Sequence, residues 1–81
     1  MADSYDIAVD FVDMTNDLRL WARPADLRPG FEPFVGLHAV VGDEDAKPRV
    51  ARIVAIDADG NLELQVLRGS VDSHRDLLAR V

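Results

Sequence analysis

The dipeptide Asp59-Gly60 stands between two runs built for β-structure, RVARIVAI before it and LELQVL after it. Glycine there takes the positive φ of a tight hairpin turn, so the surrounding residues are committed to an antiparallel pair. A two-residue loop sets Ala58 opposite Asn61, Ala55 opposite Leu64, Ile53 opposite Val66 and Val54 opposite Gln65. One face then gathers Ala51, Ile53, Ala55, Leu62, Leu64 and Val66, the candidate core. The other face carries Val50, Arg52, Val54, Ile56, Glu63, Gln65 and Leu67, a second apolar patch that needs a cover.

Eighty-one residues make one small domain, expected to span 1–81. A chain of this size buries only about 60–65% of the surface it exposes when unfolded. There is no cysteine, so neither a disulfide nor a thiolate metal site reinforces the fold, which fits a reducing, cytoplasmic setting. No apolar run reaches the roughly 20 residues of a membrane helix. The opening MADSYD is acidic where a signal peptide is basic. A formal charge of -6 and a pI of about 4.6 disfavour binding to a phosphate backbone, which depends on lysines and arginines displacing counterions.

The segment from Tyr5 to Arg23 carries two periodicities. Ile7, Phe11, Met14, Leu18 and Trp21 recur at helical spacing, whereas Tyr5, Ile7, Val9 and Phe11 alternate. Four aspartates and many β-branched or aromatic residues weigh against a helix, and Asn16-Asp17 has turn composition. The expectation is a β-hairpin that sets Asp10 opposite Arg23 and Val12 opposite Trp21. Ile7, Val9, Phe11, Leu18, Leu20 and Ala22 then face inward, and Trp21 stands outside between Arg19 and Arg23.

Pro24 to Phe34 holds three prolines and reads as a long, partly rigid loop, with Pro29-Gly30 in a type II turn. Its apolar members Leu27, Phe31 and Phe34 are too many to leave in water, so some should fold back over the core, while Phe31 or Phe34 could join a binding surface. Leu37–Val41 reads as the third strand, and the polar GDEDAKP stretch as a turn. After Gly69, Ser70 or Ser73 can cap a short C-terminal helix within 69–81, with Val71, His74, Leu77, Leu78 and Val81 along one side. That helix, or a partner subunit, is the candidate cover for Val50, Val54, Ile56 and Leu67.

Gly36–Val41, the Ala51–Gly60 run (A-x-I-x-x-I-D-x-D-G) and Leu62–Leu67 together resemble the small SH3-like barrels, including the KOW type of translation and transcription proteins. The resemblance implies a mainly β, five-stranded antiparallel barrel with a short C-terminal helix. It also implies binding of peptides, RNA or other subunits through loops and open strand edges. The chain departs from the RNA-binding members by its acidity, and from the proline-peptide-binding members by its few aromatics, so no site residue carries over.

Chemistry-bearing patterns reduce to structural ones. Asp57, Asp59 and Asn61 begin like a calcium loop, but Leu62 occupies the glycine position and Arg68 the terminal glutamate position. Asp43, Glu44 and Asp45 read as a solvated loop. His38 and His74 have no ligand spacing between them, and Ser4, Thr15, Ser70 and Ser73 lack a nucleophile context. The sequence therefore calls for no catalytic residue, no metal, no cofactor and no small-molecule substrate. The expected role is protein-protein contact, as a homodimer or an accessory subunit, through Trp21, Arg19, Arg23, Phe31, Phe34, Val54 and Ile56. The alternatives are a KOW-like RNA-binding module using Arg19, Trp21, Arg23 and Arg28, or an acidic, antitoxin-like inhibitor of a basic partner.

Overall fold

The computed structural model describes residues 5–43 and 46–78. Five strands form one sheet: β1 (Ile7–Ala8), β2 (Arg19–Ala22), β3 (His38–Gly42), β4 (Arg49–Ile56) and β5 (Leu62–Val66), in the order β1-β3-β4-β5-β2. The sheet curls into a half-barrel, and a short helix, α1 (Arg75–Leu78), follows a 3-10 turn at Asp72–His74. The expectation of a mainly β fold holds, with one difference in kind. β1 runs parallel to β3, so the sheet is mixed rather than wholly antiparallel.

The expected hairpin between the first two strands does not form. β2 pairs instead with β5, matching Leu20 to Leu64 and Ala22 to Leu62. The intervening aspartate is the reason: the Asp10 carboxylate accepts the Val12 N–H at 3.0 Å and caps a 3-10 turn at Phe11–Asp13, taking the chain out of the sheet. The Asn16-Asp17 turn itself is present. Alternation still chose the right faces, because Ile7, Leu20 and Ala22 are buried while Val9, Phe11 and Leu18 pack against them.

The hairpin of β4 and β5 forms with a displaced register. The loop holds three residues rather than two: Gly60 N–H donates to Asp57 O, Asp57 N–H donates to Asn61 O, and Gly60 sits at φ +86°. This is the turn-plus-glycine arrangement of three-residue hairpin loops. A β-bulge then leaves Val54 unmatched between the Ile53–Leu64 and Ala55–Glu63 pairs. The two extra residues move the register by an even number, so Ala51 meets Val66 and Ile53 meets Leu64, all inward and fully buried. Ala55 joins the outer Glu63, a correction to its expected place in the core. Ile56 pairs with Leu62 and is 36% exposed.

The open side of the half-barrel is bridged by the proline-rich loop. Leu27 makes an isolated antiparallel bridge to Ile7, and Arg28 N–H donates to Asp6 O at 2.8 Å. Asp6 clasps both neighbours of β1. Its Oδ1 accepts Arg28 Nε and Nη2 at 3.1 and 2.9 Å, and its Oδ2 accepts the Val40 N–H at 3.1 Å. Gly30, at φ +84° with Phe31 N–H donating to Arg28 O, makes the expected Pro-Gly turn. Phe31 thereby enters the core.

Half of the outer face is covered. Val50 is fully buried yet lies outside the core cluster, because its side of the sheet faces the chain that follows β5. Leu67 N–H donates to Val50 O, and α1 packs against β3, whose Val40 pairs with Val50. Ser73 N–H donates to Ser70 Oγ, and a 2.6 Å contact between His74 Nε2 and Arg68 O ties the segment down. Val54 is half-buried at the other end of this face. Ile56, set opposite the buried Leu62 by the bulge, lies on the inner side at the exposed end of its strand, a correction to its expected place on the outer face. Val81 and the Glu44-Asp45 pair fall outside the described residues.

Candidate functional site

One end of the sheet collects β2 and β4 at their last residues and β3 and β5 at their first. Four of the six exposed large apolar side chains among the described residues lie there: Trp21 at 56%, Phe34 at 59%, Val35 at 56% and Ile56 at 36%. Ladder contacts hold them together. Trp21 pairs with Glu63, which pairs in turn with Ala55 beside Val54 and Ile56. Gly36 N–H donates to Ile53 O, and Ile53 N–H donates to Leu37 O, which pins the Phe34–Gly36 segment against β4. Val35 was not singled out in the sequence; its signal was the apolar pair Phe34-Val35 directly before a glycine.

Of the seven residues expected to bind a partner, the structure assembles Trp21, Arg23, Phe34, Val54 and Ile56 at this end. Arg19 is committed elsewhere: Nη1 bonds Glu63 at 2.8 Å, Nε bonds Gln65 at 2.6 Å, and Gln65 Nε2 donates to Asp17 O. It braces the sheet beneath Trp21. Phe31 belongs to the core, with the Arg28 guanidinium 5.8 Å from its ring centroid. Its expected surface role is therefore corrected.

The edge of β2 is nearly closed to strand addition. Val66 N–H donates to Leu18 O, which sets the phase of the ladder and turns the backbone groups of Arg19, Trp21 and Arg23 toward the free edge. Thr15 satisfies Arg19, through Oγ1 to its N–H and through its own N–H to Arg19 O. Asp26 does the same for Arg23 through Oδ2 and its N–H. Of these three, Trp21 alone has no partner for its N–H and C=O among the described residues. A one-residue gap is too short to template another strand, so contact at this end rests on side chains.

A groove of about 500 Å³ runs beside the indole, lined by Trp21, Ala22, Arg23, Asp57 and Asn61. Asp57 Oδ1 accepts the N–H groups of Asp59 and Asn61, both at 2.9 Å, and Oδ2 accepts Asn61 Nδ2 at 3.1 Å. The Asn61 side chain above all, then its backbone N–H, holds the Asp57 carboxyl below its usual 3.8, with slight desolvation opposing and the Asp59 and Gly60 amides adding to the effect. The carboxylate is thus a structural member of the turn, as the failed calcium template implied.

Two other grooves exist. One of about 470 Å³ at the opposite end is lined by Phe11, Met14, Ala46–Arg49, Gly69 and Ser70. The other, of about 250 Å³, surrounds the Asp6–Arg28 clasp. No group of three or more histidine or acidic side chains is placed to hold a metal ion among the described residues, and none of their helices is long and apolar enough to cross a membrane. Comparison with protein-family models, curated proteins and solved structures returns no match.

Proposed function

We propose that this protein is a non-enzymatic docking module, a small barrel of SH3-like kind, that binds another protein through the end of the sheet bearing Trp21, Phe34, Val35 and Ile56. The observation that carries the reading is the gathering of those four exposed side chains at one end of the sheet, while the C-terminal helix packs on β3. Exposed apolar side chains gathered in this way mark interaction sites, and tryptophan is a favoured anchor in them. The described residues bury no polar or charged side chain, which also suits contact rather than catalysis. The nucleic-acid alternative gains little support. Arg19, Arg23 and Arg28 are each engaged by a carboxylate, Glu63, Asp26 and Asp6 respectively.

Photocrosslinking in the cells that make the protein tests the reading. Val35→p-benzoylphenylalanine should give one discrete protein adduct, and Val12→p-benzoylphenylalanine, at an 89% exposed position near the other end, should not. An adduct of twice the chain mass would assign the homodimer. Equal labelling from both positions, no adduct, or an adduct removed by nuclease would overturn the docking role.

A further inference from the structure

The groove beside Trp21 has a chemistry that selects its occupant. Asn61 spends its Nδ2 on Asp57, which leaves the Asn61 Oδ1 as an acceptor with no donor among the described residues. Asp57 Oδ2 takes one bond and has a second lone pair. The indole supplies a π face, and its N–H has no partner among the described residues. The single cation on the rim, Arg23, leans away on Asp26 through contacts of 3.4–3.5 Å. Two acceptors and an aromatic face, on a chain of charge -6, complement a planar cation.

Resting on the docking role above, we infer that the groove receives an arginine side chain from an extended segment of the partner protein, its guanidinium on the Trp21 ring and its N–H groups on Asp57 and Asn61. The free indole N–H then meets a peptide carbonyl of that segment. The arginine side chain is the main hold on that segment, since Trp21 N–H and C=O offer it no more than one backbone pair at the sheet edge. A carboxylate-bearing segment would face Asp57 with nothing to neutralise it but Arg23.

The test uses a blocked heptapeptide, Thr-Val-Thr-Arg-Thr-Val-Thr, and its citrulline counterpart, which keeps the shape and removes the charge. Trp21 is the only tryptophan, so its fluorescence and its indole N–H resonance report on the groove directly. The arginine peptide should bind saturably, with shifts at Trp21, Ala22, Arg23, Asp57 and Asn61, and the citrulline peptide should bind at least about tenfold more weakly. Arg23→Gln, at a side chain 76% exposed and so harmless to folding, should tighten the arginine peptide about twofold by removing a screened repulsion. Equal binding of the citrulline peptide, weaker binding to Arg23→Gln, shifts that map elsewhere, or no binding would each overturn the assignment. If crosslinks from position 35 persist while the arginine peptide fails, the docking end stands and the cationic occupant falls; loss of both removes both.

Discussion

Asp6 ties the proline-rich loop to the β1–β3 pair, so its replacement should show how the half-barrel is held shut. The two contributions separate by exposure. The Arg28 partner is 44% exposed, so the ion pair is of surface type and contributes about 0.5 kcal/mol. The carboxylate itself is 14% exposed and accepts the Val40 N–H in a part-buried setting, a charge-assisted bond of about 1.5–3 kcal/mol. Asp6→Ala should therefore cost about 2–3 kcal/mol. Asp6→Asn keeps a neutral acceptor for Val40 and should cost about 1 kcal/mol. With a urea m-value of about 1 kcal/mol/M for so small a domain, the unfolding midpoint should fall by about 2–3 M and about 1 M respectively. Total stability at this length is about 4–12 kcal/mol, so the alanine variant gives up a large share of it. Equal midpoints for the two variants, or an alanine variant within about 0.5 kcal/mol of the parent, would refute the clasp.

The two loop phenylalanines should part company in thermal unfolding: Phe31→Ala removes a core side chain and should cost about 3 kcal/mol, whereas Phe34→Ala should stay within about 0.5 kcal/mol. Gly60→Ala should cost about 1 kcal/mol or more, since φ +86° is unfavourable for alanine and the new methyl would meet Pro24 Cγ at 3.1 Å; an unchanged midpoint in urea would count against the loop geometry. Asp57 has a folded pKa below its unfolded value near 3.8, so its contribution is fully present above that value and disappears as pH falls through the folded pKa. The gap in melting temperature between the parent and Asp57→Asn should accordingly be constant at neutral pH and close in strong acid, and a gap that widens in acid would contradict the assignment. Thr15→Val combined with Asp26→Ala should release the bracketed edge of β2 and produce concentration-dependent association by sedimentation, with no such change if the brackets are idle.

Burial preference and strand alternation were legible in the sequence because they are local. Ile7, Leu20, Ala22, Ala51, Ile53, Leu62, Leu64 and Val66 all point where period-two reading puts them. Partner choice is not local. Nothing between Tyr5 and Arg23 says that Leu20 finds Leu64 rather than Val12's neighbours, since that depends on the free edge of a strand forty residues later. The register of the second hairpin failed for a narrower reason. Asp-Gly serves both two-residue and three-residue loops, and the Asp57 side chain selects the longer by accepting the amides of Asp59 and Asn61. At the end proposed for docking, Trp21, Phe34, Val54 and Ile56 were legible as apolar residues without an obvious cover. Phe31 was not separable from Phe34 until the Pro29-Gly30 turn carried it inward, and Asn61 had no visible role until its amide was seen to be spent on Asp57.

The bulge at Val54 makes the length of β4 adjustable. Removing that one residue would leave Ile53 opposite Leu64, Glu63 opposite the residue after Ile53, and the whole Asp57–Asn61 turn unaltered, because Val54 has no partner to lose. Elsewhere in the β4–β5 hairpin a single deletion would turn a run of core side chains out to water. A one-residue gap at this point is thus nearly neutral for folding, yet it flattens the strand just below Ile56 and re-aims the surface around Trp21. On the proposed docking role, changes in binding can arise there by length alone, without a substitution in the core or at the exposed side chains themselves.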